Sequence, residues 1–233
     1  QAEDGIRDRS PSRGLGDVYK RQRQDIVRGA FDSGSPLRLA ELGERYGMGF
    51  SPLREALNRL QAERLVTSES LRGFRVAPLS LAEFEDALAM RLMIETEALR
   101  AAIRLGGDDW AASIVSTLYA LKLQADRQAA TPDISELEQR HHAFHRALLA
   151  GCGSPWMLEF FERLYTANER YRIPALLASD GRGGRDIQAE HSALAEAVLA
   201  RDTEKALALL VAHYQRTAEV IRGKMAAKEK HGA

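Results

Sequence analysis

The stretch from Ser51 to Arg64 restricts what this chain can fold into more than any other. Its apolar residues Leu53, Ala56, Leu57 and Leu60, followed by Leu65 and Val66, recur at helical spacing, so one face of a helix is buried. The other face carries Arg54, Glu55, Asn58, Arg59 and Gln61. Ser51 and Pro52 read as an N-cap and a first-turn proline. Such a helix fits a DNA major groove; on its own it fits a solvated surface equally well. The flanking sequence decides between the two.

Residues 23–50 supply a partner. Ile26, Val27, Ala30 and Phe31 predict a short amphipathic helix ending near Ser33 and Gly34. Pro36 and Leu37 lead into a second helix over 39–46, closed by Gly47. Two helices joined by a tight turn, the second with a free polar face, form a helix-turn-helix layout. Residues 65–77 add two short β-like runs around a polar turn, a β-hairpin wing with Arg72 and Gly73 at its tip. Glycine lets backbone approach a groove closely and arginine suits a narrow minor groove. Residues 23–78 hold nine arginines against seven acids, so placement rather than bulk charge has to carry any DNA binding.

The formal net charge of all 233 residues is zero, which excludes a global basic field. One cysteine, Cys152, permits no disulfide within the chain and fits a reducing cytoplasm. No apolar run approaches the ~20 residues of a membrane span, and no secretory h-region opens the sequence. Residues 1–22 are polar and aperiodic and are expected to lie outside the fold. The run from Asp17 to Gln22 resembles a translation of the transposon-end adapter used in sequencing libraries, and the run from Ile6 to Ser10 resembles the same adapter in another frame. The other reading of 1–22 is a native disordered arm.

Pro78 to Ser80 forms a joint, and Ser80 with Glu83 starts a capping box. Helices are expected at 80–105, 107–127, 133–151, 155–175, 184–201 and 203–226. The chain is therefore mainly α. A winged helix-turn-helix with a small β-hairpin wing spans 23–78, an all-α antiparallel helical bundle spans 79–228, and 229–233 is a tail in which His231 has no role.

His141 and His145 are four apart and share a helix face. His191 and His213 lie eleven residues on either side of Asp202. If the last two helices form an antiparallel hairpin, these two histidines lie level, and four imidazoles converge on one divalent ion. His142 points elsewhere. The His-x3-His spacing also occurs in zinc proteases, but His142 stands where that motif needs a glutamate base. With no other catalytic constellation in the chain, it is not expected to be an enzyme.

These residues resemble a known family. Ser51 to Leu57, Arg64 to Val66 and Arg72 to Val76 resemble the winged helix-turn-helix of GntR-type bacterial transcription regulators. Arg91 to Glu95, His141 to His145, His191 and Asp202 to His213 resemble the FCD effector domain of the FadR subgroup. Arg140 to Ser154 and Gly47 to Leu53 look closest to the CsiR branch, tied to 4-aminobutyrate and glutarate catabolism. The resemblance covers about 23–226. It implies a homodimeric repressor on a palindromic double-stranded operator, released or rearranged by a small carboxylate, with glutarate as an example. The DNA contacts it implies are Arg38, Ser51, Arg54, Arg72 and Gly73, with Glu55 orienting an arginine. It places the carboxylate above a metal held by His141, His145, His191 and His213. Arg91 matches a motif position, and Arg172 with Tyr171 is the second pair of effector candidates.

Two departures stand out. Gly49 and Phe50 replace a common Ser-Arg pair, leaving Phe50 to pack or to touch a thymine methyl. His141 replaces a usual aspartate, and an all-nitrogen set suits zinc, nickel or copper better than manganese or magnesium, with zinc or nickel expected. Three rivals remain: a regulator whose effector is the ion itself, a metal-dependent helical enzyme, and a purely structural helical domain.

Overall fold

The computed structural model describes residues 11–69, 73–128, 133–177 and 185–231. The chain forms two compact units, 1–80 and 81–233.

In the first unit, α1 (Pro11–Val27), α2 (Leu39–Tyr46) and α3 (Phe50–Ala62) pack with a three-stranded antiparallel sheet. Leu53, Ala56, Leu57 and Leu60 on α3 are all at most 1% exposed, as the spacing requires. Gly47 closes α2 in the left-handed region at φ 65°, its N–H donating to the Gly43 carbonyl. β2 (Val66–Glu69) and β3 (Gly73–Val76) make the expected hairpin. A short β1 (Pro36–Leu37) pairs with the other edge of β3, a strand too brief to announce itself by alternation.

Three boundaries differ from expectation. Helix α3 starts at Phe50 with Gly49 as N-cap, so Ser51 lies inside the first turn. Pro52 has no N–H, and the first intrahelical bond runs from Leu53 N to Gly49 O at 3.4 Å, which places the cap four residues before Leu53. The first helix ends at Val27, because Gly29 turns left-handed at φ 75°. It also starts far earlier than expected, at Pro11. Residues 11–22 are thus corrected from a tail to part of a helix that packs on α3, with Val18 2% exposed. The Tyr19 hydroxyl donates to Glu63, and Arg23 Nε meets Glu63 Oε2 at 3.2 Å. Before Ile26 this helix is anchored by one strongly buried apolar residue and one phenol among the side chains described, too few for a periodic signal.

Gln22 is 1% exposed, and neither atom of its amide has a hydrogen-bond partner. A buried polar group left unpaired costs about 1–3 kcal/mol. Gln22→Leu is expected to raise the stability of the first unit by that order, read as a higher urea midpoint at unchanged slope. A lowered midpoint would show that the amide is satisfied in solution.

The second unit is helical: α4 (Leu81–Leu105), α5 (Asp108–Arg127), α6 (Ile134–Ala150), α7 (Pro155–Leu177), α8 (Ile187–Leu199) and α9 (Thr203–His231). Asp133 and Asp186 cap α6 and α8 by accepting from Glu136 N at 3.1 Å and Ala189 N at 2.8 Å. Helices α8 and α9 pack as the expected hairpin about Asp202. Helix α9 runs on to His231 rather than fraying after 226, since Lys, Ala and Glu dominate 224–230 and favour helix. Trp110 ties α5 to α6 through an Nε1 bond to the Ala147 carbonyl at 2.9 Å. No helix among the described residues is long and apolar enough to cross a membrane.

Candidate metal centre and nucleic-acid interface

Helix α6 places His141 and His145 one turn apart, α8 supplies His191, and α9 supplies His213. All four are buried, and one nitrogen of each lies within 4.8 Å of the others. The matched levels read from the sequence are therefore matched in space. Burial lowers the pKa of every one of them, His141 to about 3. They are neutral imidazoles near pH 7, with lone pairs free to bind a cation.

Their outer partners follow a pattern. His145 Nδ1 lies 3.1 Å from the Tyr214 hydroxyl, which donates to Glu95 Oε2 at 2.5 Å. Arg91 donates to the same hydroxyl at 3.0 Å and to Glu95 Oε1 at 2.5 Å. His141 repeats this arrangement. Its Nδ1 lies 2.7 Å from the Tyr165 hydroxyl, which donates to Glu138. Arg172 donates to Glu138 and, at 3.2 Å, to Tyr165. Burial pushes both phenols well above their ordinary pKa, so they keep their protons. Burial opposes ionisation of Glu138 too, but Arg172 and His141 outweigh it and hold the carboxyl well below the usual range. His213 has a shorter version: Nδ1 meets Glu190 Oε2 at 2.8 Å, and Arg185 grips both oxygens of Glu190 at 2.6 and 2.8 Å.

The donor set fits a divalent ion on two observations. The Nε2 atoms of His141 and His145 stand 3.2 Å apart; two nitrogens bound tetrahedrally at ~2.0–2.1 Å to one ion stand ~3.3–3.4 Å apart. Both ring nitrogens of His191 are buried with no hydrogen-bond partner, a cost that a bound cation removes.

A cavity of about 310 Å³ opens beside the cluster, with His141, His191 and His213 on its wall. Arg172, Arg185, Glu138, Gln128, Gln188 and Thr217 supply its polar groups, and Leu121, Ile134, Leu137, Ile173 and Ile187 its apolar side. Of the three effector candidates, only Arg172 lines this cavity. Arg91 lines a separate void of about 20 Å³ with His141, His213 and Tyr214, room for about one water. Tyr171 is corrected: its hydroxyl donates to Glu83 Oε2 at 3.1 Å, its ring packs on Phe84, and it lines neither cavity. Arg172 and its other neighbour Ile173 both line the cavity, while the bond to Glu83 and the packing on Phe84 take Tyr171 elsewhere. Arg185 was missed because the glycine-rich stretch before it reads only as a turn. His142 bonds Glu162 at 2.7 Å, away from the cluster, as expected.

On the first unit, Arg38 sits at the N-cap of α2, exposed and paired with Glu41 at 2.8 Å. Ser51 and Arg54 are exposed on α3, and Arg54 has no ion pair among the described residues. Glu55 pairs with Arg59 at 2.9 Å rather than with Arg54. Phe50 is 60% exposed, so it does not pack into the core. Gly73 opens β3 at φ 78°, opposite Glu69. Arg72 lies outside the described residues.

Residues 16–76 match the family described as bacterial regulatory proteins, gntR family, and residues 86–216 match the FCD domain. The chain belongs to the GntR family, with an FCD domain. It is 38% identical over 212 residues to the HTH-type transcriptional repressor GlaR of Escherichia coli, covering 90% of this chain and 96% of that protein. It is 38% identical over 207 residues to the HTH-type transcriptional regulator BphR of Paraburkholderia xenovorans, covering 88% and 84%. Escherichia coli McbR/YncC shares the fold, with a TM-score of 0.75 at 19% identity over 91% of this chain and 98% of that one. The chain is thus a transcription regulator and not an enzyme, with a helix-turn-helix that binds DNA and a helical domain built around four histidines.

Proposed function

We propose that this GntR-family chain is a cytoplasmic homodimeric repressor on a palindromic operator. A small carboxylate, bound beside a zinc or nickel ion in the helical domain, controls its DNA affinity. The observation that carries this reading is the wall shared by three of the four histidines and a cavity holding Arg172 and Arg185. Fixed charges around the centre pair off as Arg91 with Glu95, Arg172 with Glu138, and Arg185 with Glu190. A divalent ion then adds uncompensated positive charge beside the cavity, which favours an anion. His141, His145, His191 and His213 would hold the ion, which when bound supplies a Lewis-acid contact for one carboxylate oxygen. Arg172 or Arg185 would meet the remaining charge.

For the response to reach DNA, the acid must bind the operator-competent state and the released state with different affinity. A thermal-shift screen of dicarboxylates and hydroxy acids, run with and without chelator, tests the reading. A stabilising acid whose effect vanishes on chelation supports it, and stabilisation indifferent to chelator removes the metal from ligand binding. The second reading, with the ion itself as effector, rests on the cluster alone; operator affinity that tracks zinc with no acid present would favour it.

Arg38, Ser51, Arg54, Arg72 and Gly73 remain the proposed DNA contacts, and the exposure of Arg38, Ser51 and Arg54 supports the first three. Arg54 is free to reach a guanine edge or a phosphate. Arg54→Ala is expected to weaken operator binding by about 1–3 kcal/mol with stability unchanged. Fluorescence anisotropy across a salt series reads both the affinity and its slope. Affinity equal to that of the unsubstituted chain would place recognition elsewhere.

The adapter origin of 1–22 stays a proposal for the residues before 16, since Val18, the Tyr19–Glu63 bond and the family match that begins at residue 16 weigh against it beyond that point. Re-reading the source DNA across this junction tests it.

A further inference from the structure

Three arginines surround the histidine cluster, and the simplest role for each is to grip an effector carboxylate. Their hydrogen bonds point to a different use. The phenol of Tyr214 has one proton, and it goes to Glu95. Arg91 also donates to that oxygen, so His145 can meet it only as a donor, through Nδ1–H. The same count holds at Tyr165, whose proton goes to Glu138, which accepts also from Arg172, and which leaves His141 to donate through Nδ1–H. In both cases Nε2 is left with its lone pair facing the cluster centre, and the two Nε2 atoms face each other at 3.2 Å. Two lone pairs at that distance with no proton between them repel, and a shared cation turns the repulsion into two bonds.

Each chain runs imidazole, phenol, carboxylate, guanidinium, and the two share only α6. His145, Tyr214, Glu95 and Arg91 come from α6, α9 and α4; His141, Tyr165, Glu138 and Arg172 come from α6 and α7. Every member of both is buried. Low dielectric strengthens such connected bonds and makes a broken one costly.

Resting on the reading that the four histidines hold a metal, we infer that Tyr214 with Glu95 and Arg91, and Tyr165 with Glu138 and Arg172, are outer positioning residues that lock His145 and His141 as Nδ1–H tautomers with Nε2 on the ion. Arg91 is thereby a structural end of a relay rather than an effector ligand. Arg172 has both tasks within reach, because it ends a relay and also lines the large cavity.

The test is zinc competition against a chromophoric chelator, using the full chain, Tyr165→Phe, Tyr214→Phe, Glu95→Gln and the Tyr214→Phe/Glu95→Gln double variant. Tyr119→Phe, 64% exposed, is the control. Loss of an outer partner typically weakens metal binding about 10–100-fold. Each tyrosine variant is expected to show a loss in that range together with a lower metal-free unfolding temperature from the broken bonds, whereas Tyr119→Phe changes neither. The double variant is expected to lose about as much as the worse single one, since the pair acts as a unit. Tyrosine variants that bind zinc within about twofold of the unsubstituted chain would overturn the relays. Imidazole nitrogen NMR of the zinc-loaded unsubstituted chain provides a readout that does not depend on how the variants fold. Proton-bearing Nδ1 at His141 and His145 supports the inference, and metal on Nδ1 ends it. An unsubstituted chain that takes up no zinc overturns the metal reading itself, and the relays with it.

Discussion

Zinc is expected to raise the unfolding temperature of the metal-free chain by roughly 10 °C at a thousandfold excess over its dissociation constant. At that ratio binding to the folded state alone adds about 4 kcal/mol, and each kcal/mol moves the midpoint about 2–4 °C in a chain of this size. The same experiment on His191→Leu is expected to give two effects of opposite sign. Both ring nitrogens of His191 are buried without partners, and the ring packs against Phe144 at 5.2 Å between centroids. Replacing it with an apolar side chain removes an unsatisfied polar group worth about 1–3 kcal/mol, so the metal-free variant melts higher. It also removes one of four ligands, so most of the zinc-dependent rise disappears. A histidine that is merely a core residue predicts the first effect without the second. Differential scanning calorimetry on both proteins, with and without zinc, separates the cases.

Acid is expected to destabilise the metal-free chain well before Glu138 and Glu190 titrate. Burial holds all four cluster histidines below 6.5, His141 at about 3. In the unfolded chain they return to about 6.5. Between those limits the unfolded state binds protons that the folded state refuses, so stability is full above about 6.5 and falls as pH drops. Each histidine contributes up to about 1.4 kcal/mol per pH unit in that window. Glu138 and Glu190, both held below the ordinary carboxylate value, add a loss of the same sign only at lower pH, while burial raises the pKa of Glu95, which takes up its proton in the folded state and offsets part of the histidine loss. Urea midpoints in chelator at pH 7.5 and 5.5 check this. A midpoint independent of pH would show that the cluster protonates freely in the folded state. Zinc is expected to shift the onset downward, since it holds the imidazoles unprotonated.

The parts of the site that lie on one helix were legible. Leu53, Leu57 and Leu60 define a buried stripe at helical period, and His141 and His145 share a face for the same reason. The level pairing of His191 with His213 was legible too, because a hairpin hinged at Asp202 makes equal sequence offsets equal heights. The relays were not. Tyr214 meets Glu95 across 119 residues, and Arg91 meets Tyr214 across 123. No local pattern encodes such a partner, so Arg91 and Arg172 read only as candidate effector ligands. Tyr171 was not legible either: adjacent residues of α7 can line one cavity, as Arg172 and Ile173 do, and what takes Tyr171 away is Glu83, 88 residues distant in sequence. The start of α1 was hidden because Val18 is its single strongly buried apolar residue before Ile26 among those whose side chains are described.

The sequence by itself determined the family, the order of the two units, the recognition helix and the identity of the four histidines. Each of these depends on spacing along one element or about one turn, and spacing survives without a structure. What surrounds those histidines came from the tertiary structure alone: which phenol meets which Nδ1, which carboxylate accepts from that phenol, and which guanidinium ends each chain. Hydrogen bonds of this kind depend on positions fixed to within a few tenths of an ångström by packing between α4, α6, α7 and α9. Packing of distant elements is what a linear pattern does not record.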